Sequence, residues 1–113
     1  MTTTTLPAPD LSLDGRAFIN GERVAARDGQ TFDCFSPVDG RLLTTVARGQ
    51  AADIDAAVAA ARAAFEDRRW AGMPPARRKR VMMAFVDQLL QHADELALTD
   101  TLDMGKPVKY ARA

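Results

Sequence analysis

The sequence predicts an α/β fold of two β-hairpins followed by about three helices, incomplete on its own because its apolar faces lack cover. Three observations carry this reading. Asn20-Gly21 separates two short runs of strand formers, and both residues tolerate the positive φ angles of a type I′ hairpin turn. After Gly49 the composition turns abruptly alanine-rich, with Ile54, Val58, Ala61 and Phe65 at helical spacing. Gly105-Lys106-Pro107 then reads as a helix stop, a left-handed glycine followed by a residue that cannot continue a helix.

In chain order, residues 1–15 form a flexible leader, Thr- and Pro-rich from Met1 to Ser12, with too few apolar side chains to pack. Ala17-Phe18-Ile19 and Glu22-Arg23-Val24 are the arms of the first hairpin. Thr31 to Phe35 and Leu42 to Val46 are the arms of the second, with turn chemistry at Ser36-Pro37-Val38-Asp39-Gly40. Pro37 lacks an N–H for a ladder and belongs to the connection.

The first helix starts near Asp53 and Asp55, carboxylates that favour the positive end of the helix dipole. Arg62 and Glu66 are spaced to pair along it, and Trp70-Ala71-Gly72-Met73-Pro74 ends it. Pro75 suits the first turn of a second helix running to Gln91, with Val81, Phe85 and Leu89 as its inner seam and Met82, Val86 and Leu90 widening it. A third helix covers about Ala93 to Asp103, and Val108 to Ala113 begins another turn. Two small hairpins do not cover three apolar helix stripes, so the isolated chain is expected to fold only marginally.

The bulk properties exclude several function classes. Fifteen Lys and Arg balance fifteen Asp and Glu over 113 residues, and the pI is about 6.6, which argues against a nucleic-acid or anionic-membrane binder. One cysteine builds no disulfide framework. No apolar run approaches the ~18 residues of a membrane span, and the first residues lack the regions of a signal peptide. The expected setting is cytoplasmic.

Residue chemistry yields no active site. Cys34 lies in a strand without the base or cation that activates a thiol, and reads as a small buried side chain. His92 is the single histidine and has no partners at metal-ligand spacing. Arg77-Arg78-Lys79-Arg80 spreads around a helix without interleaved aromatics, as a solvated, partly ion-paired surface does. No glycine pattern forms a phosphate cradle. The pairs Asp53/Asp55 and Asp94/Glu95 sit where helix starts favour carboxylates.

The order of segments is more specific than any one of them. Phe18-Ile19-Asn20-Gly21-Glu22, then Phe35-Ser36-Pro37-Val38-Asp39-Gly40, then the alanine-rich Asp53–Phe65, Trp70 and Arg77–Arg80, and last Thr101-Leu102-Asp103-Met104-Gly105-Lys106-Pro107 follow one another. From about residue 16 to residue 113 this closely resembles the N-terminal part of the NAD(P)-dependent aldehyde dehydrogenase superfamily, and most of all the branch that oxidises γ-glutamyl-γ-aminobutyraldehyde in putrescine breakdown.

The resemblance implies the N-terminal part of a nucleotide-binding domain. It implies a parent that oxidises an aldehyde to a carboxylic acid with NAD or NADP through a cysteine thiohemiacetal. The family's nucleophile, base and nucleotide contacts come after the Gly-Lys-Pro block, so no catalytic or cofactor-binding residue carries over, and no cofactor is expected on this segment alone. Its implied partner is the remainder of such a chain, in a homo-oligomer. It also implies a monovalent-cation site, with Asp103 and the backbone carbonyls of Cys34 and Phe35 matching the family's positions; oxygen donors suit a hard cation. The chain's end inside a helical pattern favours a truncated enzyme over the competing reading, a free-standing helical interaction module.

Overall fold

In the computed structural model, residues 12–112 are described. Strands β1 (Ala17–Ile19) and β2 (Glu22–Val24) form one antiparallel hairpin, and β3 (Thr31–Phe35) and β4 (Leu42–Ala47) form another. Four helices follow: α1 (Ala51–Glu66), α2 (Pro75–Gln91), α3 (Ala93–Met104) and the single turn α4 (Val108–Ala111). The α/β reading holds, with two hairpins and three long helices.

Local chemistry explains the punctuation. Asn20 and Gly21 take φ values of 54° and 81°, the left-handed pair of a type I′ turn, which sets the register Ala17↔Val24, Phe18↔Arg23 and Ile19↔Glu22. Gly105 ends α3 at φ 80°, and a Cβ built there would meet Pro37 Cγ at 3.6 Å, so the helix stop lies against the second hairpin's turn. The register of β3 and β4 shifts between Cys34 and Phe35, where the ladder gives way to that turn. There the Ser36 N–H donates to the Arg41 carbonyl and the Gly40 N–H to the Ser36 carbonyl.

Three particulars depart from the sequence reading. The chain is tied down before Arg16: Gly15 bridges to Val46 in parallel, and the Thr44 hydroxyl donates to the Leu13 carbonyl at 2.9 Å. Of the leader expected over residues 1–15, residues 1–11 lie outside the described ones. Only Asp53 falls in the first turn of α1, because the helix begins at Ala51 and leaves Asp55 one turn on. The Arg62–Glu66 pair is absent from the ion pairs among the described residues, which are Asp14–Arg16, Asp39–Arg41, Asp67–Arg69, Asp94–Arg112 and the His92–Glu95 contact.

Among the described residues the buried set is small. Ala26, Ala97 and Leu102 are its apolar members, and Ser36 and Thr101 its polar ones. By contrast Val81, Met82, Phe85, Val86, Leu89 and Leu90 of α2 are all exposed, as are Ile54, Val58 and Phe65 of α1. These stripes have the width and spacing of core-facing helix surfaces, and nothing among the described residues covers them.

Candidate functional site

The second hairpin and the end of α3 converge at Cys34 and Asp103, two of the positions that the family resemblance implies for a cation. The side chain of Cys34, in the last rungs of β3, reaches Asp103 near the end of α3, with Sγ 3.5 Å from Oδ1 across 69 positions of sequence. Burial raises the thiol pKa, and the hydrogen bond and negative charge of Asp103 raise it further. Cys34 is therefore a protonated donor to a carboxylate, the opposite of an activated nucleophile. Phe35 follows on the surface at 57% exposure, and Ser36 is buried beside it at 1%. Two positions before Asp103, the buried Thr101 hydroxyl has no hydrogen-bond partner. Among the described residues no three His, Cys, Asp or Glu side chains gather as metal ligands. A cation here would rest on the Asp103 carboxylate and on carbonyl oxygens, a donor set that fits a hard monovalent ion.

The strand-to-helix turn from β4 into α1 presents the backbone N–H groups of a helix N-terminus, a general anion-binding arrangement. It is closed by the protein's own anion. Asp53 accepts from the Gln50 N–H and from the Arg27 N–H, each at 2.9 Å, and these two bonds hold its carboxyl below the usual range. The residues here do not fit a dinucleotide. They fasten the segment after β2 to the start of α1.

The other candidates remain on the surface. His92 caps the α2–α3 junction with Nδ1 3.2 Å from Glu95 Oε2. Arg77, Arg78, Lys79 and Arg80 are in none of the ion pairs among the described residues, which corrects the partly paired surface expected for them: the carboxylates near arginines lie elsewhere in the chain. Sequence reasoning missed the Asp14–Arg16 fork, in which side-chain and backbone bonds from Arg16 lower the Asp14 pKa to about 2. The i,i+2 Asp-Gly-Arg spacing was its only local signal.

Comparison with known proteins bears on the whole chain. The family model for the aldehyde dehydrogenase family matches residues 24–113. The NADP/NAD-dependent aldehyde dehydrogenase PuuC of Escherichia coli K12 is 44% identical over 104 residues, which cover 92% of this chain and 21% of that protein. A solved γ-glutamyl-γ-aminobutyraldehyde dehydrogenase from Burkholderia cenocepacia J2315 is 48% identical with a TM-score of 0.88, over 91% of this chain and 21% of that one. A solved apo indole-3-acetaldehyde dehydrogenase is 53% identical with a TM-score of 0.88, over 92% of this chain and 25% of that one. The chain thus spans about a fifth of the length of the curated relatives it matches. A family match over residues 24–113 shows that this chain belongs to the aldehyde dehydrogenase family.

Proposed function

We propose that residues 16–113 serve as the N-terminal portion of an NAD(P)-dependent aldehyde dehydrogenase that oxidises an aldehyde to its carboxylic acid in the cytoplasm, as a homo-oligomer. The observation that carries this is the match to an indole-3-acetaldehyde dehydrogenase at TM-score 0.88 over 92% of the chain. The bare stripe of α2 supports it, since a face of that width is built to lie against a larger body. On this reading the nucleotide supplies a hydride acceptor and is held by the rest of the enzyme. The present residues supply a supporting layer: Asp53 fixes α1 to the segment after β2, and the Cys34–Asp103 hydrogen bond joins the second hairpin to α3. The segment by itself has no dehydrogenase activity, because burial and the neighbouring Asp103 carboxylate hold its one thiol protonated instead of activating it. The family match leaves a free-standing interaction module without support.

The substrate proposed is γ-glutamyl-γ-aminobutyraldehyde, in putrescine degradation, after the Burkholderia enzyme and the Escherichia coli relative. A monovalent cation is proposed at Asp103 and the Cys34 and Phe35 carbonyls, where it would pin the end of α3 to the end of β3. The test is a chimera in which residues 16–113 replace the matching stretch of the Escherichia coli relative. Reduced nucleotide formed from γ-glutamyl-γ-aminobutyraldehyde at a rate near the parent's supports the reading, and a soluble chimera without activity overturns it.

A further inference from the structure

We propose that Asn20-Gly21, at the tip of the β1–β2 hairpin, is a site of spontaneous self-modification in the folded protein, where the amide of the chain's one asparagine is lost through a cyclic imide to give aspartate and β-linked isoaspartate. The Gly21 nitrogen gives its proton to hydroxide and attacks Asn20 Cγ. That carbon–nitrogen bond forms as ammonia leaves. Water then opens either carbonyl of the ring, so the balance is one water in and one ammonia out, with no change of oxidation state.

The chain contains its own controls. Four Asx-Gly steps occur: Asn20-Gly21, Asp14-Gly15, Asp28-Gly29 and Asp39-Gly40. In each Asp-Gly step the carboxyl is pinned in an Asx turn, by the Arg16 N–H at 3.0 Å, the Gln30 N–H at 2.9 Å and the Arg41 N–H at 3.1 Å. In two of them the attacking nitrogen is also engaged. The Gly29 N–H donates to the Ala26 carbonyl at 2.9 Å, and the Gly40 N–H to the Ser36 carbonyl at 2.8 Å. Electrophile and nucleophile are both held away from each other there. At Asn20-Gly21 neither is held: among the described residues no hydrogen bond engages the Asn20 amide or the Gly21 N–H. Asn20 is exposed, and no heavy atom lies within 4 Å of the Cβ position at Gly21.

The product matters because of where the tip lies. Asn20 and Gly21 line a groove with Phe18, Ala57, Ala61 and Arg69, so the reaction puts a new carboxylate between the first hairpin and α1. The β-linked product also adds a carbon to the main chain of a two-residue turn. That breaks the type I′ geometry and the register that pairs Phe18 with Arg23.

The experiment incubates the 113-residue chain in mildly alkaline buffer, native and in urea, and follows each step by peptide mapping with isoaspartate detection. The Ala17–Arg23 peptide should gain the mass of an amide-to-acid exchange, with ammonia released, and folding should slow it less than about threefold because no hydrogen bond has to break. The two doubly held steps, Asp28 and Asp39, should isomerise in urea and slow by roughly tenfold to a hundredfold on folding. An Asn20→Gln chain should release no ammonia over the same period. Protection of Asn20 equal to that of Asp28 and Asp39, or no protection at any step, overturns the proposal.

Discussion

Truncating Phe85 to alanine should cost very different amounts in two settings. In the 113-residue chain Phe85 is 56% exposed, so removing the ring forfeits less than half of a full aromatic burial, about 1 kcal/mol. Alanine recovers about 0.5 kcal/mol of helix propensity at the same position. The net change is about 0.5 kcal/mol, hardly visible in a urea titration followed by circular dichroism. If α2 lies against the body of a dehydrogenase, the ring is enclosed there and the same truncation costs about 3–5 kcal/mol. The stripe explains the gap. Six α2 side chains, from Val86 at 40% to Leu90 at 71% exposure, leave about half of their burial unrealised, about 5–9 kcal/mol in all, comparable to the whole stability of a small domain. The assay is the urea midpoint of the chain and of the full-length chimera, each with and without Phe85→Ala. Equal losses in the two settings would refute the argument that this face awaits a partner surface.

Three further perturbations probe particular contacts. A Gly15→Ala side chain would place Cβ 1.9 Å from the Thr45 carbonyl oxygen, so residues 13–15 should peel from β4. The loss is that of the bonds Ala47 N–H to Gly15 and Thr44 hydroxyl to Leu13, about 2 kcal/mol, read as faster hydrogen exchange at the Ala47 amide. The Asp53 carboxyl is held low by the Gln50 and Arg27 N–H groups. A depressed folded value means its contribution is present above the unfolded value near 3.9 and is lost as pH falls through the folded one. The protection of the Arg27 amide against exchange, relative to its intrinsic rate at each pH, should therefore fall as pH drops through and below the ordinary carboxylate range, and an Asp53→Asn chain should not show that step. The Cys34 thiol, raised by burial and by Asp103, should react with iodoacetamide at pH 8 more slowly than a cysteine peptide. Asp103→Asn should speed it; an unchanged rate would remove Asp103 from the account.

What the sequence made legible was local. The positive φ pair at Asn20-Gly21 and the left-handed Gly105 are demands that few other residues meet, so the turn and the stop were readable at once. Pro75 marked the start of α2 for the same reason. What stayed hidden depends on distant residues meeting. The Cys34–Asp103 contact joins positions 69 apart, and the second hydrogen bond of Asp53 comes from Arg27, 26 positions earlier. Neither leaves a periodic or compositional trace. No residue pattern joined Asp103, Cys34 and Phe35; only the family resemblance implied them as one locality, and the fold brings Cys34 within 3.5 Å of Asp103. The stripes of α1 and α2 were legible as apolar faces, but their spacing does not distinguish a face that packs within the chain from one left bare.

The most direct test is reduced-nucleotide formation by the chimera carrying residues 16–113 in place of the matching stretch of the Escherichia coli relative, beside the 113-residue chain assayed alone. The account predicts turnover near the parent's in the chimera, its loss in step with unfolding when Phe85 is truncated, and no turnover by the chain alone. A folded, soluble chimera without turnover, or dehydrogenase activity in the purified 113-residue chain, would contradict it.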